Sequence, residues 1–98
     1  MHSVINIVTK WCVENLSNYH FDKTELRSTT EFSRLGKVNI AIEHEHLLCS
    51  FTAWGMGTTE WIVLDSNTGN LIISRDEEYS SNVELISIIE RALSELIR

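Results

Sequence analysis

The chain has 98 residues, of which 14 are acidic and 8 are basic, and its formal net charge is −6. Apolar residues make up 43% and charged residues 22% of the chain, values that are typical of a globular domain and exclude a disordered one. The acid excess disfavours nucleic acid as a ligand, because a phosphate backbone selects clustered Lys and Arg. No apolar run is long enough to span a membrane, and the first residues lack a signal-peptide pattern. We therefore expect a single cytoplasmic domain over residues 1–98, with Cys12 and Cys49 reduced.

The first predicted element is a helix over residues 3–18, which Ser3 caps. Its apolar positions recur at helical spacing and predict a buried stripe that includes Val4, Val8, Trp11, Cys12 and Leu16. Residues 24–31 are polar and β-branched with weak alternation, which indicates an edge strand. A turn is predicted at 34–36.

The centre of the chain alternates in the manner of antiparallel strands. Strands are predicted at 37–44, 46–54, 58–65 and 71–75, with a glycine turn at 55–57 and a second turn at 66–69. Ser81 and Glu84 fit a capping box that opens a C-terminal helix. The predicted apolar stripe of this helix is Leu85, Ile88, Ile89, Ala92, Leu93 and Leu96. The predicted fold is α+β: an N-terminal helix, a four- or five-stranded antiparallel meander, and a C-terminal helix, with both helices on one face of the sheet.

The alternation assigns a face to most strand residues. The predicted core face consists of Val38, Ile40, Ile42, Leu47, Cys49, Phe51 and Ala53. Trp54 falls on the opposite face, and Ile62 and Leu64 are the expected core pair of the next strand, which places Trp61 and Val63 beside Trp54. A bulge or a covering loop would instead bury one tryptophan. The apolar neighbours of Trp61 favour packing, whereas Trp54 follows a polar-faced strand and favours contact with a partner.

No motif for a nucleophile, a phosphate loop or a dinucleotide is present, so we expect neither an enzyme nor a cofactor. The stretch "EHEH" at 43–46 could place His44 and His46 with Cys49 around a metal ion, but the spacing matches no zinc motif, and no metal is expected. A polar rim that meets a basic partner is the preferred interpretation. The "EHEH" stretch, Trp54 and the acidic residues of the charge run at 75–78 together are the candidate partner-binding residues. They are Glu43, His44, Glu45, His46, Trp54, Asp76, Glu77 and Glu78.

The order of these features resembles the TriTu family of bacterial immunity proteins. The likeness rests on an alternating strand at Val38–Ile42, a strand that ends at Trp54, Gly57, Glu60, an apolar strand at Ile62–Asp65 and a turn at Thr68–Gly69. The residue after Trp54 departs from the charged residue expected in the family. The resemblance implies a cytoplasmic antidote that binds the C-terminal domain of a secreted toxin in a 1:1 complex. Such toxins are often basic nucleases, RNases or DNases, of contact-dependent growth inhibition systems.

Two other classes fit the same sequence. A secretion-chaperone-like adaptor is also small, acidic and α/β, and it would bind an unfolded segment as a dimer. A small enzyme or metal protein would use His44, His46 and Cys49. The acidic groups of an antidote could plug a cationic active site or block substrate entry from a distance, and the residues alone do not decide between these modes.

Overall fold

A computed structural model of the chain describes residues 3–29 and 36–97. Among these residues, two α-helices accompany a five-stranded antiparallel sheet whose spatial order follows the chain. The elements are α1 (Val4–Asn15), a short 3-10 helix (Leu16–Asn18), β1 (Lys23–Thr29), β2 (Lys37–His44), β3 (Leu47–Trp54), β4 (Thr58–Asp65), β5 (Leu71–Glu78) and α2 (Asn82–Ser94). The predicted α+β meander is confirmed. None of the helices in these ranges is long and apolar enough to cross a membrane.

The N-terminal helix begins where the sequence predicts. The Ser3 hydroxyl accepts a hydrogen bond from the backbone N–H of Asn6 at 3.2 Å, which satisfies one of the free amides of the first turn. The predicted stripe is buried at Val4, Val8, Trp11 and Cys12, whereas Leu16 is half-buried. The α-helical geometry ends at Asn15 and tightens into the 3-10 helix over the last predicted residues.

The C-terminal helix is capped in the same way. The Ser81 hydroxyl accepts from the backbone N–H of Glu84 at 3.1 Å, and the Glu84 carboxylate accepts from the Ser80 hydroxyl at 2.7 Å. The serine half of the predicted capping box is therefore present, while the glutamate bonds a neighbouring hydroxyl. The buried stripe is Leu85, Ile88, Ile89, Ala92, Leu93 and Leu96.

The first strand, β1, lies at one edge of the sheet, as predicted. It begins at Lys23 and is described to Thr29, so positions 30 and 31 of the predicted strand lie outside the described residues. The predicted turn at 34–36 lies outside them too, except for Gly36. At the other edge, β5 continues beyond the predicted strand end and takes in the charge run at 75–78.

Both helices pack on one face of the sheet and form a single apolar core with it. The predicted core positions of β2 and β3 are confirmed: Val38, Ile40, Ile42, Cys49, Phe51 and Ala53 are buried, and Leu47 packs against them at the margin. This arrangement leaves the opposite face of the sheet uncovered by α1 and α2.

The predicted orientation of β4 is wrong. Phe51 pairs with Trp61 across β3 and β4, so Trp61 and Val63 lie on the helix-covered face and are 2% and 1% exposed. Ile62 and Leu64 lie half-buried on the other face. The reason is the length of the turn at 55–57: three turn residues pair Trp54 with Thr58, so odd-numbered residues stay opposite odd-numbered residues.

The same turn requires glycine at one position. Gly57 has a φ of +106°, and a Cβ placed there would lie 3.0 Å from the carbonyl oxygen of Tyr79. Gly69 also has a positive φ, +76°, but a Cβ there would meet nothing within 4 Å. A side chain at either position would be strained because of the positive φ. At Gly57 it would also lie too close to the Tyr79 carbonyl oxygen.

Gly57→Ala is therefore expected to lower the free energy of unfolding more than the matched control Gly69→Ala. We expect losses of about 2–4 kcal/mol at Gly57 and about 1 kcal/mol at Gly69. Urea denaturation of both variants measures the difference. Equal losses would show that the contact with Tyr79 does not constrain the turn.

Candidate partner-binding face of the sheet

The side of the sheet opposite α1 and α2 is called the open face, and strand alternation determines which side chains it carries. On β1 and β2 these are Lys23, Glu25, Arg27, Thr29, Lys37, Asn39, Ala41 and Glu43. On β3, β4 and β5 they are Leu48, Ser50, Thr52, Trp54, Thr58, Glu60, Ile62, Leu64, Ser74, Asp76 and Glu78. The basic side chains thus lie on β1 and β2 together with Glu25 and Glu43, whereas β4 and β5 carry only acidic charges on this face, at Glu60, Asp76 and Glu78.

A hydrogen-bonded polar group forms the middle of the open face. The Asn39 amide donates to the Ser50 and Thr52 hydroxyls, both at 2.8 Å, and lies 3.2 Å from the Phe51 carbonyl oxygen. Thr52 is only 5% exposed although it lies on the uncovered side. Because these polar groups have partners, they hold β2 and β3 in register and form a fixed platform.

A cavity of about 580 Å³ at one end of this face is lined by Trp54, Thr58, Thr59, Glu60, Asp76, Glu77 and Glu78. We call its open-face residues, which are Trp54, Thr58 and the three carboxylates Glu60, Asp76 and Glu78, the acidic pocket. Glu60 lies directly opposite Asp76 across β4 and β5, and Glu78 lies opposite Thr58. Like charges in directly opposed positions destabilise a sheet. Within the described residues, none of the three carboxylates takes part in an ion pair.

Trp54 forms the wall of the acidic pocket and has a fixed backbone. The Tyr79 hydroxyl donates to its carbonyl oxygen, and the Tyr79 backbone N–H donates to the Gly57 carbonyl oxygen at 2.9 Å. The Lys37 ammonium lies 5.8 Å from the centroid of the indole ring, which is within range of a cation–π contact. The ring therefore lies between a cation and the three carboxylates.

Of the eight predicted site residues, four line this cavity, namely Trp54, Asp76, Glu77 and Glu78, and all but Glu77 have side chains on the open face. Glu43 lies on the open face but at its other end, where it pairs with Leu48. Glu45 and His46 form the exposed turn between β2 and β3, and the Glu45 N–H donates to an Asp22 carboxylate oxygen at 2.7 Å.

His44 and Glu77 point to the helix-covered side of the sheet. The His44 ring meets Phe21 edge-on, with 5.3 Å between the centroids. Glu77 is bound by Arg91 at 2.9 Å and lies 3.5 Å from the Arg75 Nε, a distance of an ion pair rather than of a hydrogen bond.

Arg75 connects this network to α2. Its guanidinium hydrogen-bonds the Glu95 carboxylate, and this bond, with the nearby charges of Glu95 and Glu77, raises the pKa of Arg75 against the opposing effect of burial. The charge run at 75–78 is therefore not one acidic surface. Strand alternation sends Arg75 and Glu77 to the helices and leaves Asp76 and Glu78 on the open face.

Sequence reasoning missed Glu60 as a site residue. It lies in the middle of the acidic pocket only because β3 and β4 pair Thr52 with Glu60, and β5 then pairs Asp76 with it. The signal that could have found it is the three-residue turn at 55–57, which sets even-numbered residues of β3 and β4 on one face.

The groups that could serve metal or thiol chemistry do not converge. Across 3–29 and 36–97, no three His, Cys, Asp or Glu side chains form a group that could hold a metal ion. Cys12 and Cys49 are buried and unpaired. Burial raises the pKa of both thiols to about 11, so neither supplies a thiolate nucleophile near neutral pH.

This burial predicts an alkaline loss of stability. The unfolded chain releases the thiol protons near pH 9.0, whereas the folded chain holds them to about pH 11. The stability contribution is therefore complete below pH 9 and declines as the pH rises toward 11, by about 1–2 kcal/mol per thiol. Burial also raises the pKa of Tyr19 and Tyr79, which adds to the effect.

Urea denaturation across this alkaline range measures the decline. Cys12→Ala/Cys49→Ala serves as the control and should leave only the part due to the tyrosines. A free energy of unfolding that stays constant through this range would contradict the burial of the thiols.

Comparison with known proteins does not assign the chain to a family. No protein-family model matches the chain. No curated protein matches it significantly either.

Proposed function

We propose that this protein is an immunity protein, which binds and neutralises the C-terminal domain of a cognate secreted toxin in the cytoplasm. The observation that carries the proposal is the acidic pocket, where three carboxylates without ionic partners among the described residues surround an accessible tryptophan. The repulsion between Glu60 and the directly opposite Asp76 destabilises the folded sheet. A cationic partner would remove that repulsion on binding.

The toxin that fits this surface is basic, as nucleases that bind a phosphate backbone are. The net charge of −6 attracts such a partner over distances near the Debye length and raises the association rate. The resemblance to TriTu immunity proteins supports the same class. We propose a 1:1 complex in which the protein acts by binding, without catalysis and without a cofactor.

Co-purification with the C-terminal domain of the protein encoded immediately upstream tests the proposal. We expect a 1:1 complex by light scattering, an association rate that falls as salt increases, and loss of the toxin's activity on binding. If no toxin domain is encoded there and no neighbouring protein binds, the proposal fails. A dimer that holds an unfolded client would instead identify a secretion-chaperone-like adaptor.

A further inference from the structure

The open face has an apolar end beside its acidic end. A cavity of about 300 Å³, which we call the apolar cleft, is lined by the apolar residues Ala41, Leu48, Ile62 and Leu64. Ser50 and the charged residues Lys23, Glu25 and Glu43 also line it. Leu48 pairs with Leu64 across β3 and β4, and the Leu48 side chain is 40% exposed. Apolar side chains that line an open cavity on an uncovered sheet face are typical of a contact site.

The apolar cleft and the acidic pocket lie on the same strand at a fixed spacing. Glu60, Ile62 and Leu64 are successive residues of the open face on β4. With a rise of about 3.3 Å per residue, Glu60 lies about 7 Å from Ile62 and about 13 Å from Leu64 along the strand. A partner that fills both sites must therefore present an apolar and a charged group at this separation.

The backbone of the central strands offers no binding site of its own. The strand β4 pairs with β3 on one side and with β5 on the other, so its amides and carbonyls are already in the ladder. A partner on this part of the sheet must lie across the face and bind through side chains rather than add a strand.

We propose that the open face receives one cationic amphipathic segment of the toxin. Its apolar side chain enters the apolar cleft, and a Lys or Arg lies between Glu60 and Asp76 against the Trp54 ring. In a helix, a rise of about 1.5 Å per residue separates the two groups by one or two turns. This inference rests on the proposed function and adds to it the surface used and the chemistry of the segment.

Charge distinguishes this occupant from a second copy of the chain. Two copies would bring together two molecules that each carry a net charge of −6. Of the three basic groups on the open face, Arg27 is bound to Glu25 at 2.9 Å, Lys37 lies over Trp54, and Lys23 lies opposite Glu43 across β1 and β2. A cationic partner pairs with the three carboxylates that have no ion pair among the described residues, without this repulsion.

The test compares the same substitution on and off the open face. Leu48→Lys places a cation in the apolar cleft, and Val83→Lys makes the same change on α2, where the side chain is 80% exposed. We expect Leu48→Lys to weaken binding of the upstream-encoded toxin domain at least about tenfold and Val83→Lys to change it by less than about twofold. Leu48→Asn, which removes the apolar contact without adding charge, should weaken it in the same direction. Thermal unfolding verifies that each variant is folded.

A second probe does not depend on the toxin. Two synthetic helical peptides have the same composition: one carries two leucines and two lysines on one face, separated by two turns, and its isomer carries the lysines on the opposite face. We expect the first to bind the full chain at least about fivefold more tightly, and Leu48→Lys or Glu60→Gln to remove the difference. Isothermal titration measures both peptides.

The outcomes separate this inference from the proposed function. If the toxin domain binds Leu48→Lys as it binds Val83→Lys, while Glu60→Gln weakens the complex, the immunity role stands and the two-part docking is overturned. If the wild type binds no toxin domain, the proposed function fails. If it also binds the two peptides equally, the docking surface is overturned too. A wild-type dimer that Leu48→Lys converts to a monomer identifies a second copy as the occupant and overturns the proposal.

Discussion

Glu60→Lys is expected to weaken toxin binding about a hundredfold while it leaves the fold intact or slightly stabilises it. The substitution removes one carboxylate from the acidic pocket and places a cation where the proposed partner brings its own. The binding free energy falls by about 3 kcal/mol because one attractive charge contact is removed and a repulsive one is added. Within the sheet, the new lysine would lie opposite Asp76. An opposite-charge pair replaces a like-charge pair there, which is worth about 0.5 kcal/mol of stability.

Glu90→Lys is the matched control for this experiment. Glu90 is exposed on α2, away from the open face, and its replacement changes the net charge by the same amount. Surface plasmon resonance at low and high salt separates the general attraction, which both variants reduce, from the local contact, which only Glu60→Lys removes. Equal effects of the two variants would show that the acidic pocket binds nothing specific. A Glu60→Lys protein that is much less stable would show that Glu60 serves the fold.

The second large effect is expected on the free energy of unfolding when Trp61, which follows Trp54 along the chain, is replaced. Trp61 is 2% exposed, and its ring centroid lies 6.3 Å from that of Phe51. Trp61→Ala removes a large part of a small core and is expected to lower the free energy of unfolding by about 3–5 kcal/mol. Among the described residues, the indole Nε1 has no hydrogen-bond partner. Trp61→Phe therefore breaks no hydrogen bond and is expected to cost less.

Trp54→Ala provides the contrast. This side chain is half-buried on the open face. Its removal is expected to cost about 1 kcal/mol of stability and at least about tenfold in toxin affinity, since aromatic side chains dominate binding surfaces. Urea denaturation and a binding titration on the two alanine variants measure both quantities. A Trp54→Ala protein that binds normally, or a Trp61→Ala protein of unchanged stability, would contradict the division of roles between the two tryptophans.

Parts of the candidate site followed from the sequence, and other parts did not. Trp54, Asp76 and Glu78 were predicted as partner-binding residues, and the structure places them in one pocket. Glu77 belongs to the same charge run, but alternation along β5 turns it toward Arg91 on the helix-covered side. A charge run shows how many carboxylates are present, whereas their distribution between two faces depends on whether the run is a strand or a loop.

The separation of the predicted acidic rim into two regions has a similar cause. The "EHEH" stretch and the charge run are both acidic, so the sequence alone predicts a single acidic rim. In the structure, Glu45 and His46 lie in the turn between β2 and β3, at the opposite end of the strands from the turn at 55–57. An antiparallel meander places alternate turns at opposite ends of the sheet, so residues on these two turns cannot share one small contact.

The sequence by itself determined the order of the elements, the start of each helix and the core stripes of α1, α2, β2 and β3. These features depend on local spacing, on capping side chains and on short-range alternation, all of which are written within a few residues. Only the tertiary structure decided which side of β4 faces the helices and which carboxylates meet. Both depend on cross-strand register, and the three-residue turn at 55–57 fixes that register for every residue beyond it. Trp61 is therefore in the core, and Glu60 faces Asp76 on the open side.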